Sequence, residues 1–178
     1  MNVALLTGGA SSERDVALAT GLQVTGALRE RGHRVSMVDL ATGFVPPVHE
    51  VALLPSGVGR EPPPIASLRE LERGMLTGGL GEIPAVRDAD VIFVALHGGQ
   101  GENGTVQALL AVVGVPYTGS GRLASALAMD KDLAKHVLRD AGIDVPRWVM
   151  APAAAEVVAR DVGFPCIVKP SNEGSSVG

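Results

Sequence analysis

Hydrophobic positions in this chain alternate between short continuous apolar runs and longer stretches of helical period, with glycines at the handovers. Residues 3–7 form an apolar run ended by Gly8-Gly9. Ser11 or Ser12, then Glu13 and a long Ala/Leu/Val stretch, predict a capped helix to about Arg31. Gly32 closes that helix, and residues 34–40 alternate as a second strand. The Pro- and Gly-rich stretch 43–64 holds one candidate strand at 51–54, and a helix is expected over 64–76. Residues 90–96 are continuously apolar, the pattern of a parallel strand buried on both faces, and His97-Gly98-Gly99 ends it. Residues 105–113 read as a helix and 115–118 as a short extended piece, and Gly119-Ser120-Gly121 opens a further helix through Ala128. A charged amphipathic helix at 130–141 follows, ended by Gly142. Residues 146–150, an Ala-rich helix at 152–161 and a strand at 165–169 then suggest another βαβ-like unit. The alternation predicts an α/β protein with a parallel sheet and a domain boundary near Met129, dividing the chain into 1–129 and 130–178.

Composition sharpens this picture by exclusion. The chain is 46% hydrophobic and 3% aromatic, with 23 glycines, a profile that suits α/β packing. A net charge of −4 offers no general attraction to nucleic acid or an anionic membrane, so any anion has to be held by local geometry. The single cysteine, Cys166, lies in an apolar run and is expected to be a buried structural thiol. The apolar start at 3–6 is too short for a secretory signal, no stretch approaches membrane-spanning length, and a cytoplasmic protein is the expectation.

Three constellations carry candidate chemistry. Gly8-Gly9-Ala10-Ser11-Ser12-Glu13 stands where the first strand hands over to a helix, the place where open α/β sheets bind ligands. It lacks the third glycine of a dinucleotide fingerprint, and Glu13 would repel a pyrophosphate. A carboxylate there suits an ammonium group such as that of an amino acid. Equally, Ser12 and Glu13 can serve only to cap the helix. The second constellation, His97-Gly98-Gly99-Gln100-Gly101-Glu102-Asn103-Gly104-Thr105, has glycine at four of nine positions after the most apolar strand. His97 suits donation to a carboxylate or phosphate oxygen, while a tight turn capped by Asn103 explains part of the pattern without explaining His97 or Glu102. The third is the final stretch, Lys169 to Gly178, where a lysine ending an apolar run precedes small hydroxyl and glycine residues, Ser175 and Ser176 among them. Backbone N–H groups in such a loop can crowd a polyphosphate while the ammonium neutralises it, and Lys131 on the 130–141 helix makes a second candidate phosphate lysine. No Walker-type loop, zinc spacing or hydrolase elbow is present.

Taken in order, Gly8-Gly9 with Ser12-Glu13, residues 97–105, Tyr117-Thr118-Gly119-Ser120-Gly121, Ala128-Met129-Asp130-Lys131 and residues 169–178 closely resemble the D-alanine–D-alanine ligase family of ATP-grasp enzymes. The resemblance covers the whole chain but only about the first half of such an enzyme. It implies a Rossmann-like, pre-ATP-grasp domain that binds substrate over 1–129, followed by the beginning of a central ATP-grasp domain over 130–178. The implied reaction is ATP-dependent joining of two D-alanines through an acyl phosphate, for peptidoglycan precursor synthesis, with ATP and Mg²⁺ (or Mn²⁺) as cofactors.

By the family pattern Glu13 would hold the ammonium of the first D-alanine and Ser175 would pair with it, both as catalytic residues. His97 would polarise the substrate's carboxylate region, and Glu102 would support the network around it. Lys131 and Lys169 would bind ATP phosphates, with Ser175 and Ser176 in the loop covering the γ-phosphate. Asn103 stands where the family usually has Asp, and either residue can cap a helix. The metal ligands, the adenine-binding segment and the residues selecting the second substrate would lie beyond Gly178, so this chain alone is expected not to ligate. The partners implied are D-alanine, ATP and a second copy of the chain in a homodimer through the N-terminal domain, with no nucleic acid and no membrane. Alternatives are a ligase joining D-alanine to D-lactate or D-serine, and a non-catalytic amino-acid or nucleotide-binding module. A Rossmann-type cofactor binder is weakened by the missing glycine and by Glu13.

Overall fold

The computed structural model describes residues 1–75 and 79–174. The chain divides into two compact units, 1–126 and 127–178.

In the first unit β1 (Asn2–Thr7) leads through a glycine turn into α1 (Arg14–Glu30), then β2 (Arg34–Asp39) and β3 (Gly43–Val45). After α2 (Ile65–Gly74) and the single-turn α3 (Pro84–Arg87) come β4 (Val91–Val94), α4 (Thr105–Val113) and α5 (Arg122–Met129), in which the boundary between units falls. The four strands form one sheet in the order β3-β2-β1-β4, with β1 parallel to both neighbours, Leu5 opposite Met37 on one side and Phe93 on the other. Tyr117 adds an isolated parallel bridge to Ile92 beyond β4, which is as much of the expected 115–118 extended piece as enters the sheet.

Because side chains alternate across a strand, a continuous apolar run feeds two cores at once. Ala4, Leu6, Val38 and Ile92 face Val86 of α3 and Val106 and Leu110 of α4, all buried. Val3, Leu5, Val35 and Met37 form the other face, covered by Leu22 and Leu28 of α1. Helix α1 sits close enough to the sheet that a Cβ on Gly21 would lie 2.5 Å from Thr7 Oγ1, and Thr7 in turn donates to the carbonyl of Ala17 at 2.6 Å.

Two stretches differ from expectation. Residues 51–53 make a 3₁₀ turn instead of a strand, and the third strand is β3, antiparallel to β2. The chain reverses directly after β2, with Gly43 at φ +93° and Asp39 paired to Gly43, so a hairpin replaces the crossover that strict βαβ winding would need. In the second unit α6 (Lys131–Asp140) and α7 (Ala155–Asp161) form as expected, but residues 165–169 are not a strand: Ile167 is 81% and Val168 88% exposed. An apolar run supplies side chains for a strand but not the hydrogen-bonded neighbour that defines one. Cys166 in that run is free and half-buried, not enclosed.

Candidate active site

Winding of the sheet reverses at β1, whose neighbours β2 and β4 lie on opposite sides, and ligands bind open α/β sheets in the crevice at the carboxyl ends of such strands. A cleft of about 280 Å³ occupies that position. One wall is the turn Gly8-Gly9-Ala10-Ser11 after β1, and the opposite wall is Leu96 to Gly101 with Asn103 after β4. Leu40 beyond β2 and Glu72 and Met75 at the end of α2 close the third side.

The first wall is held by a buried charge. Asp39, the last residue of β2, is fully buried and accepts N–H bonds from Gly9 at 3.1 Å and Ala41 at 2.9 Å. Arg14 at the start of α1 donates to both of its carboxylate oxygens, at 3.1 and 2.5 Å, and to the Gly9 carbonyl at 2.6 Å. The Gly9 residue is thus held at its N–H by Asp39 and at its C=O by Arg14. Burial alone would push the Asp39 carboxyl up, but the Arg14 guanidinium and the two backbone donors outweigh it and hold the group below the ordinary carboxylate range.

The second wall meets the first through Ser11. Its hydroxyl donates to the His97 carbonyl at 2.6 Å and accepts the Glu13 N–H at 3.2 Å, so one side chain fixes the spacing between the β4 loop and the start of α1. The imidazole of His97 points toward α1, its Nε2 3.1 Å from Thr20 Oγ1. Gly98 follows at φ +66°, and a Cβ there would stand 2.7 Å from Glu13 Oε2, so the carboxylate and the imidazole-bearing loop converge where only glycine fits. Glu13 occupies the N-cap of α1, where its charge suits the helix dipole, and its side chain makes no capping hydrogen bond there. Asn103 does cap, accepting the Thr105 N–H at 3.1 Å, and Gln107 of α4 ties back to the Gly101 carbonyl at 2.7 Å. A carboxylate, an imidazole and glycine-rich backbone at one sheet edge suit a small zwitterion with both an ammonium and a carboxylate.

A family model described as D-ala D-ala ligase N-terminus matches residues 2–120, the stretch that builds this sheet and cleft. The chain belongs to this ligase family. It is 44% identical to the D-alanine–D-alanine ligase of Anaeromyxobacter sp. (strain Fw109-5), a match covering 99% of this chain and 47% of that protein. It is 38% identical to the ligase of Aquifex aeolicus (strain VF5), covering 100% and 49%. The crystal structure of the Bacillus anthracis ligase superposes with a TM-score of 0.67 at 30% identity, covering 100% of this chain and 48% of that one. A crystal structure of the same enzyme complexed with ATP gives 0.67 at 28% identity, covering 97% and 48%. The chain spans about half the length of the curated relatives it matches.

Within this ligase-family chain the site residues read from sequence fall into three groups. His97 lines the cleft, and the Glu13 carboxylate lies against Gly98, the next residue of the same loop. Glu102 lies on the turn that leaves this loop, and no hydrogen bond among the described residues joins its side chain to His97. Lys131 lies in the second unit with its ammonium on two carbonyls, Ser171 at 3.2 Å and Glu173 at 2.5 Å, while its own N–H also reaches Ser171 O. It therefore anchors the segment that follows Lys169, and holding a phosphate would require those carbonyls to be exchanged. Lys169 is exposed. Ser175 and Ser176 lie outside the described residues. Among the described residues no three His, Cys, Asp or Glu side chains are grouped as metal ligands, and no helix is long and apolar enough to cross a membrane.

Four residues escaped the sequence reading: Ser11 as a cross-link rather than a cap, and Arg14, Thr20 and Asp39. Thr20 lies seven residues after Glu13, two helical turns along the same face, a spacing that carries a usable signal. The Arg14–Asp39 pair spans 25 residues, and nothing local announces it.

Proposed function

We propose that the intact protein joins two D-alanines at the expense of ATP, with residues 1–129 as its substrate-binding pre-ATP-grasp domain and 130–178 as the start of its central ATP-grasp domain. The observation that carries this reading is the approach of the Glu13 carboxylate to the His97-Gly98 loop, beside the β1/β4 cleft that His97 lines, in a chain that matches D-alanine–D-alanine ligases over 99% of its own length. Glu13 holds the ammonium of the first D-alanine and His97 donates to its carboxylate, which orients one carboxylate oxygen for attack on the γ-phosphorus of ATP. That attack breaks the bond to ADP and leaves an acyl phosphate. The amine of the second D-alanine then attacks the carbonyl carbon, phosphate departs with the carboxylate oxygen, and the amine loses a proton.

Lys131, Lys169 and Ser176 hold the phosphates, Ser175 pairs with Glu13, and Glu102 steadies the His97 loop. In Lys131 the phosphate oxygens replace the carbonyls of Ser171 and Glu173. Mg²⁺ or Mn²⁺ is held outside the described residues and, when bound, offsets charge on the transferring phosphoryl group. The product serves peptidoglycan precursor synthesis in the cytoplasm, and the enzyme assembles as a homodimer through its N-terminal domain.

Release of ADP by the intact protein, measured with D-alanine alone and then with D-lactate or D-serine added, tests the reading. ADP release on D-alanine alone is expected. Release that requires D-lactate or D-serine would reassign the second substrate, and no release with any of them would leave a binding module.

A further inference from the structure

We propose that Thr20 is a positioning residue for His97, setting the ring orientation with which the imidazole meets the substrate carboxylate. The inference rests on the proposed role of His97, and it concerns how that role is achieved. His97 is gripped at two points by the same stretch of chain. Its carbonyl accepts from Ser11 at 2.6 Å, just before α1, and its ring Nε2 lies 3.1 Å from the Thr20 hydroxyl, in the second turn of α1. The first contact places the backbone and leaves the side-chain torsions free. The second removes that freedom, because a ring held at Nε2 cannot turn about its Cβ–Cγ bond without losing the bond.

With Nε2 engaged on α1, Nδ1 is the ring nitrogen left to meet a ligand, and among the described residues it has no hydrogen-bond partner. The hydroxyl can donate to Nε2 or accept from it, so it accommodates either tautomer. If it accepts, Nδ1 is an acceptor in the neutral ring, and protonation converts it into a charged donor matched to a carboxylate. If it donates, Nδ1–H is already a donor. In either case the direction of the donor is set from α1, the helix that carries Glu13 at its N-cap. The contacts proposed for the ammonium and for the carboxylate of one amino acid are thereby both referred to α1, which suits an α-amino acid, whose two groups have a fixed separation.

The test uses the intact protein with Thr20→Val, which keeps the shape and removes the hydroxyl, and Thr20→Ser, which keeps the hydroxyl and removes the methyl. Two readouts are taken: the KM values for D-alanine and ATP, and the nitrogen-15 shifts of the His97 ring, assigned by His97→Gln. Thr20→Val is expected to move the ring shifts and to raise the D-alanine KM about tenfold with the ATP KM unchanged, and Thr20→Ser to restore both to within about twofold. Unchanged ring shifts in Thr20→Val, or a Thr20→Ser protein as impaired as Thr20→Val, would overturn the inference. Failure of the underlying reading looks different: His97→Gln would leave the D-alanine KM unchanged while Thr20→Val still moved the ring shifts. Should Thr20→Val not fold, Thr20→Ala carries the same expected shifts and the same overturning result.

Discussion

Asp39 shows how one residue can hold a wall of the site without touching a ligand. Its carboxylate has no solvent contact, and four donors converge on it: two guanidinium N–H groups of Arg14 and the backbone N–H groups of Gly9 and Ala41. Removing Arg14 leaves a buried, uncompensated charge, so Arg14→Ala is expected to cost about 3 kcal/mol, read as a fall in unfolding free energy by urea titration. The same pair sets an acid limb. Because the folded-state pKa of Asp39 is depressed, its contribution to stability is complete above the ordinary aspartate value of about 3.9 and is lost as pH falls from there through the folded-state value. Thermal unfolding followed between neutral pH and about pH 3 should show this loss in the native protein and a weaker dependence in Arg14→Ala. Glu13 and His97 were legible as candidates in sequence because His97 precedes Gly98-Gly99 at the end of an apolar run and Glu13 stands at the helix start that follows Gly8-Gly9. Arg14, Asp39 and Thr20 were not, because each is ordinary for a helix or strand and acquires meaning only from a partner far along the chain.

The elements that position the candidate site are β1, β4 and α1, and β1 and α1 pack closely. A methyl group on Gly21 would meet Thr7 Oγ1 at 2.5 Å, and Thr7 cannot simply rotate away, since it donates to the Ala17 carbonyl of the same helix. Alanine has the better helix propensity by about 1 kcal/mol, yet Gly21→Ala is expected to destabilise by about 1–3 kcal/mol because α1 must lift from the sheet. Denaturant unfolding that found the variant more stable would refute this close packing. Elements of this kind were readable from sequence where a run had both a clear period and clear stops: α4 spans Thr105–Val113, as its pattern indicates, between Gly104 and Gly114. Elements whose existence depends on a neighbour were not readable. Residues 43–45 pair only because the hairpin returns them to β2, and residues 165–169 have the apolar character of a strand without a ladder.

At the scale of the whole molecule, two compact units carry different parts of the proposed reaction: the amino-acid cleft in 1–126, and the phosphate-handling candidates Lys131 and Lys169 in 127–178. This division predicts a separable phenotype. Replacing Glu13 by Ala removes a charge-assisted contact worth about 1.5–3 kcal/mol, so the D-alanine KM of the intact protein should rise tenfold to a hundredfold while the ATP KM stays within about twofold. An unchanged D-alanine KM would take Glu13 out of the site. The most direct test follows the atoms of the reaction. Intact protein is supplied with ATP and D-alanine labelled with oxygen-18 in its carboxylate, and the released phosphate is analysed by mass. Activation of that carboxylate as an acyl phosphate predicts that phosphate appears only when D-alanine is present and that each phosphate carries one labelled oxygen. Phosphate released without D-alanine, or released with no label, would contradict the account.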